Sequence, residues 1–476
     1  MRVGAGADGQ VGWVQLLRVT GTKRALERDR PMKFLDAHVA LDAGLCSGEV
    51  LWRPKPFHTP RVPWRTTHAV LFRDLLRLSE TELQTLQRDR VALHDFIAVR
   101  EPSFSNVASI SRQLEILATS ISAPTSAVGG SRDHIGIPGK KWTQIEAFAS
   151  AVPRRRLPAV DWCSGKGYLS HRLLAHQAAT SSTCLEIDPA LIEAGRRRAA
   201  KSALPLTFAR ADVLSPTPLP SGVGQHALHV ALHACGGLHR QMIQQAVSAG
   251  AAQLAVAPCC YHKHPPGGDP SSRLQPLSTA ASASRLSLTH AELRLAGAAG
   301  CAARRRDQRL RDREMSWRLA FSAWHRRYQN RVSVNSRRSF DDKVTDWSVA
   351  SRLPSVPLPV LAQGSSAHAS LDGFEAFCRW GATVGGASAP ARVGLVDALE
   401  EWDEREAALC LRLGEAHAAR IARLELVRHA YQRPLEQWLV LDACLFLEEH
   451  GYHVTLRRFC EESVSPRNLL VFGERQ

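Results

Sequence analysis

Acidic residues close three successive apolar segments of this chain, and the segments alternate with helical patterns. This arrangement constrains the fold more than any other feature. Pro158–Trp162 is a short apolar run carrying Asp161 near its end. Ser182–Ile187 is a second, carrying Glu186, and Leu206–Ala209 a third, followed by Asp212 in the run ARADV. Between them lie helical patterns at Tyr168–Ala178 and from Pro189 to about Ser202, the second opening on a proline suited to a first helical turn. Ala227–His233 and Gln253–Ala257 read as a fourth and a fifth strand around a helix over Leu238–Ser248. Strands and helices alternating at this spacing predict a Rossmann-like α/β fold with a doubly wound parallel sheet. Its ligand belongs beyond the C-terminal strand ends, at the first strand–turn–helix.

That turn reads Asp161-Trp-Cys-Ser-Gly165-Lys-Gly167. Gly165 and Gly167 let the backbone pass close to a ligand, and the helix that follows offers unpaired N–H groups. Glu186, 19 residues beyond Gly167, stands where a carboxylate can take ribose hydroxyls. Asp212 stands where an adenine contact is usual. A full G-x-G-x-x-G is missing because Ser170 holds the third glycine's place, which argues against NAD, and no Walker-type lysine follows.

The flanks differ. Before the sheet, LFRDLLRLSETELQTLQRDRVALHDFI carries apolar residues at helical spacing, and Ser79 with Glu82 forms a capping-box pattern. SISAPTSAVGGSR (120–132) reads as a linker. After the fifth strand come a Gly/Pro/Ser-rich stretch, an Arg-rich helical stretch, a second linker, and a helix from about Leu395 to Ala430. A last helix and two strands, ending with Leu469–Phe472, return to the sheet. The expected division is a helical N-terminal accessory domain over 1–130, the α/β domain over 131–264 and 431–476, and an Arg-rich, partly helical insertion over 265–430.

Hydrophobic residues at 44% and charged residues at 22% suit a globular chain with a sizeable core. No apolar run reaches the ~20 residues of a membrane span, and the N-terminus has no secretory pattern. The 11 cysteines lack paired spacing, so reduced thiols and a cytoplasmic setting are expected. Net charge is +16, and Arg304–Arg338 alone holds 12 Arg against three acidic residues, a local +9. Arginine binds phosphate bidentately, so the segment is a candidate RNA surface, with a solvated helical face as the plain alternative. Trp52, Trp64, Trp317 and Trp324 lie near basic residues and would stack on bases or, more commonly, pack in a core.

VDWCSGKGYLS, CLEIDP, ALHACGGLH and APCCYHK, in this order, resemble the class I S-adenosylmethionine-dependent methyltransferases. The particular group includes the eukaryotic protein named for a glutathione S-transferase C-terminal domain and, at greater distance, the tRNA acceptor-stem 2′-O-methyltransferases. The resemblance is densest over Pro158–Lys263, and FCEESVSPRNLLV near the end also matches. It implies a seven-stranded sheet with S-adenosylmethionine over Gly165, Gly167, Glu186 and Asp212, and Asp161 reaching the methionine amine through water. Cys163-Ser164 replaces the usual first glycine of the loop, as in this group.

Methyl transfer is an in-line displacement, and a base is needed only when the acceptor carries a tightly held proton, as a hydroxyl does. The fourth and fifth strand ends supply His233-Ala-Cys235-Gly236 and Pro258-Cys259-Cys260-Tyr261-His262-Lys263. His233 or His262 is the candidate base or orienting group, and Tyr261 a candidate for stacking on a base. The tRNA-modifying branch has a Cys-Cys-His-His run here, with Tyr261 in place of its first His. Gly139 and Lys140-Lys141, before the first strand, would meet the cofactor carboxylate or a substrate phosphate, or simply begin a helix. Cys235, Cys259, Cys260 and His262 suggest zinc, but adjacent cysteines are poor ligands from one strand end and no C-x-x-C anchors them, so no metal is expected. The expectation is a methyltransferase acting on RNA, at a hydroxyl rather than a base amine, since no N/D-P-P-Y/F motif follows the fourth strand. Protein or small-molecule methylation, and a non-catalytic scaffold that keeps the fold, stay open.

Overall fold

The computed structural model describes residues 32–59, 61–120, 137–215, 224–263, 269, 271–298, 305–332, 369–384, 399 and 402–476. Its centre is one sheet of β1 (Thr119–Ser120), β2 (Leu157–Trp162), β3 (Ala179–Glu186), β4 (Leu206–Arg210), β5 (Leu228–Cys235), β6 (Gln253–Cys259), β7 (Tyr452–Arg458) and β8 (Leu469–Arg475), in the order β1-β7-β8-β6-β5-β2-β3-β4. Strand β8 runs antiparallel to both its neighbours, and the other pairings are parallel. The expected seven strands are present, and the two-residue β1 adds an edge beside β7 that the sequence pattern does not announce. β6 is buried at all seven positions, as a parallel strand covered on both faces should be.

Strand order reverses at β2, which lies between β3 and β5. A ligand site is therefore expected beyond the C-terminal ends of these strands. Helices Tyr168–Ala175, Pro189–Ser202 and Gly237–Ser248 make the crossovers, close to the expected bounds. Asp188 caps the second through the amide of Ala190 at 2.8 Å, with Pro189 at its first position.

Helix Gln432–Glu449 joins the sheet to the flanking helices. It is buried on almost every face, as a helix enclosed on all sides must be. Several of its polar groups tie it to the N-terminal helices: Trp438 Nε1 donates to Asp42 Oδ1 at 2.9 Å, and Gln437 Nε2 to the Ser111 carbonyl at 3.0 Å. Buried Arg433 pairs with both Glu115 and Glu436. The N-terminal helices thus dock directly on it, and Ser79 and Glu82 form the expected capping box.

Helices Arg305–Val332, Ala369–Val384 and Glu404–Ala430 share a separate aromatic core of Trp317, Phe321, Trp324, Phe374 and Phe377. Gly414 lets two of them cross closely, because a Cβ there would strike the Ser316 carbonyl and the backbone of Ala320. Trp52, Trp64, Trp317 and Trp324 are only 0%, 1%, 3% and 6% exposed. None offers a face to a base, and all four are core residues. Residues 121–132, most of the first expected linker, and 351–368 of the second lie outside the described residues. Among the described residues no helix is long and apolar enough to cross a membrane.

Candidate active site

The turn after β2 is built around Glu186. At the end of β3 its Oε2 accepts the Gly165 amide at 2.8 Å, while Oε1 accepts the amides of Ile187 at 2.9 Å and Asp188 at 3.1 Å. A carboxylate has about four acceptor positions, so Oε1 is filled and Oε2 keeps one. Glu186 can take one ribose hydroxyl as it stands, and a second if the Gly165 amide gives way.

The two glycines do different work. Gly165 has φ +59°, and a Cβ added to it meets nothing within 4 Å, so open space lies beside its backbone. Gly167, at φ +72°, is packed: a Cβ would come within 2.8 Å of Phe208 Cζ and 3.3 Å of Cys184 Sγ. One glycine makes room for a ligand. The other lets the loop lie on β4.

Asp161 is 2% exposed and turned toward the helix. Its Oδ2 accepts from Ser170 Oγ at 2.7 Å and from the Ser170 amide at 3.3 Å, and Ser170 Oγ also meets Ser182 Oγ at 2.8 Å. Burial pushes the Asp161 carboxyl up to about 7, against these hydrogen bonds and with the Glu186 charge adding to the rise. From sequence, Ser170 is only the residue standing in for a third glycine; in the structure it is the anchor of Asp161. Asp212 is exposed in the turn after β4, where its Oδ1 accepts the Leu214 amide at 3.0 Å. Cys163 lies among these groups. Burial, and then the charges of Glu186, Asp161, Cys235 and Asp212, push its thiol up to about 12. The charges of the three acidic residues expected at the strand ends are therefore all felt at one thiol of the loop.

The other half of the site is the end of β5 and β6. Their ladder shifts register between Leu232 and Cys235, where His233 takes φ +69°. Irregularities of this kind re-aim a side chain at a strand end, and His233 is exposed. Although part of the residue reaches the surface, surrounding protein crowds its ring. This desolvation, followed by the charges of Lys141 and Arg467, lowers its pKa, so the ring is neutral near pH 7, while Cys260 pulls the other way. Lys141, at the start of helix Gly139–Ala151, is thus brought to the acceptor side. Arg467, far away in sequence on the β7–β8 connection, joins it.

Tyr261 differs from expectation. It is 4% exposed, with its ring edge-on to His239 and its hydroxyl buried without a partner. Packed beside Leu274, Leu293 and Leu439, it has no free face for a nucleobase. His262 is half-buried, edge-on to His290, with Nδ1 lacking a partner. Burial lowers its pKa, as do Arg294, His290 and Lys263.

Residues 140–264 match the family model described as a methyltransferase domain. No curated protein is similar to the chain by sequence. Solved structures similar to it include the 23S rRNA methyltransferase ErmE, at 19% identity and TM-score 0.21, over 27% of this chain and 50% of that one. An uncharacterized protein from Listeria monocytogenes is 18% identical with TM-score 0.22, over 24% of this chain and 50% of its own. The O-methyltransferase NcsB1 of neocarzinostatin biosynthesis, in complex with S-adenosylmethionine, is 22% identical with TM-score 0.18, over 47% and 55%. The chain spans about half the length of these structures. The strand order, with the match over residues 140–264, gives the sheet of a class I methyltransferase, a fold for which S-adenosylmethionine is the expected cofactor. The open space beside Gly165 and the free acceptor position on Glu186 fit that cofactor.

Proposed function

We propose that this chain is an S-adenosylmethionine-dependent methyltransferase whose acceptor is a hydroxyl group of RNA. The observation that carries the catalytic reading is the bond from the Gly165 amide to Glu186, which sets the loop beside open space with Asp161 and Asp212 close by. The cofactor supplies an electrophilic methyl group on a sulfonium. This chain holds the ribose at Glu186 and orients the methionine end near Asp161. It also presents His233, a neutral and exposed imidazole able to take the proton from an attacking hydroxyl.

The RNA assignment rests on charge. Lys141, Arg467 and Lys263 surround His233 and the β6 end with cations suited to a phosphodiester. Helix Arg305–Val332 adds exposed Arg309 and Arg311, whereas Arg318 and Arg327 are engaged by Glu314 and Glu406. The resemblance to 2′-O-methyltransferases of tRNA favours a ribose hydroxyl over a base amine, and the unpaired spacing of the cysteines fits a reducing, cytoplasmic setting.

Purified protein incubated with methyl-labelled S-adenosylmethionine and total RNA tests this directly. Label in alkali-resistant dinucleotides, lost in His233→Ala, is the expected result. Label in protein or small molecules instead would overturn the RNA acceptor, and absence of cofactor binding would leave a non-catalytic scaffold.

A further inference from the structure

Adjacent cysteines on an extended strand point to opposite faces, which is why Cys259 and Cys260 look like poor joint ligands in the sequence. The backbone changes this. Cys260 takes φ +48°, in the left-handed region, just past the end of β6, so the alternation breaks between the two residues. Across the ladder, the register shift after Leu232 sets Cys235 directly opposite Cys259. Gly236, at φ +60°, locks the arrangement: its amide donates to the Cys259 carbonyl at 3.0 Å, and the Gly237 amide to the Lys263 carbonyl at 3.2 Å. A side chain at Gly236 would strike the Lys263 backbone. Three thiols from two strand ends therefore meet in one place.

Their Sγ atoms all lie within 4.8 Å of one another, and those of Cys235 and Cys259 are 3.8 Å apart. A disulfide would need about 2.05 Å. Zinc holds thiolate sulfur at about 2.3 Å, and tetrahedral angles then put two such sulfurs ~3.8 Å apart. We propose that Cys235, Cys259 and Cys260 bind a thiophilic divalent cation of the zinc type, with the fourth coordination position open. Three thiolates and one divalent ion leave a single negative charge, which Lys263 and Arg467 are placed to offset. Cys235 and Cys260 are partly exposed, so an ion and a fourth ligand have access. His262 is not that ligand as placed, because neither of its ring nitrogens falls within the cluster the three sulfurs form. Three protein ligands with an open fourth position is the pattern of metal sites that activate a ligand rather than merely brace a fold. An acceptor thiol or hydroxyl entering that position would lose its proton more readily. The site depends on the thiol geometry alone and does not require the acceptor to be RNA.

The test is titration of the full, phosphine-reduced chain with Zn2+ against a chromophoric chelator, repeated with Cd2+ to read thiolate charge-transfer absorption. One equivalent of zinc, and cadmium absorption of three-thiolate intensity, are expected. Cys235→Ser and Cys260→Ser should each weaken zinc binding at least ~100-fold while keeping a cooperative melting transition, and Cys46→Ser should change nothing. Buried Cys259 is left intact because its replacement endangers folding. Failure of the reduced wild-type chain to bind an equivalent of zinc, or equal binding by folded Cys235→Ser and Cys260→Ser, overturns the proposal.

Discussion

The Gly165 amide points at Glu186, 2.8 Å from Oε2, so one carboxylate both shapes the cofactor loop and offers an acceptor to the ribose. Glu186→Ala removes both functions. A hydrogen bond to a charged group contributes about 1.5–3 kcal/mol, so affinity for S-adenosylmethionine should fall ~10- to 100-fold. Glu186→Gln keeps one carbonyl oxygen and should fall in between. Calorimetric titration of both variants checks this, and an unchanged Kd would remove Glu186 from the site.

Asp161 makes the site sensitive to pH. Its carboxyl titrates at about 7 in the folded chain and near the ordinary 3.8 when unfolded. The folded state therefore binds the proton more tightly. The stability this lends is complete below pH ~4 and is lost as pH rises through about 7. Asp161→Asn should flatten the decline of melting temperature between pH 4 and 8. On the proposed reading, the cationic methionine amine favours the ionised carboxylate. Binding near pH 6 should then release a proton, and affinity should rise up to pH ~7 and level off. Titrations in buffers of different ionisation enthalpy measure that proton; none released would place the amine elsewhere.

Strand spacing and acidic strand ends made the sheet and half of the site readable from sequence, because apolar periodicity and short turn motifs are local properties of the chain. Residues whose role depends on a distant partner were not readable. Arg467 reaches the acceptor side only through the β7–β8 connection, and Ser170 matters through its bond to Asp161. The meeting of Cys235 with Cys259 and Cys260 depends on a register shift and a left-handed residue, neither of which has a periodic signature. The four tryptophans near basic residues show the reverse case. Proximity in sequence left stacking on bases open beside the commoner core packing, and burial of large apolar area settles all four in the core.

Gly165 and Gly167 should respond differently to the same change. Both sit at positive φ, so alanine costs about 1–2 kcal/mol of backbone strain at either. At Gly167 the new methyl also meets Phe208 at 2.8 Å, and overpacking adds about 1–3 kcal/mol. Gly167→Ala should therefore lower the melting temperature clearly more than Gly165→Ala. Gly165→Ala fills the open space beside the loop, so it should weaken cofactor binding while leaving the fold nearly intact. Thermal melts with and without S-adenosylhomocysteine separate the two. Equal destabilisation with equal loss of binding would show that the glycines act alike.

Arg309 and Arg311 test the RNA surface without disturbing the helical core. Both are exposed, whereas Arg318 and Arg327 are held in ion pairs with Glu314 and Glu406 and their reversal would confound binding with folding. Each phosphate contact on single-stranded nucleic acid contributes about 0.7 to the slope of log affinity against log salt. Reversing both to Glu should lower RNA affinity and reduce the salt slope by about 1–1.5, with the melting temperature unchanged. Fluorescence anisotropy with a labelled RNA over a range of salt reads both quantities. If affinity and slope stay at wild-type values, these arginines form only a solvated face, and RNA contact must come from Lys141, Lys263 and Arg467 at the acceptor end.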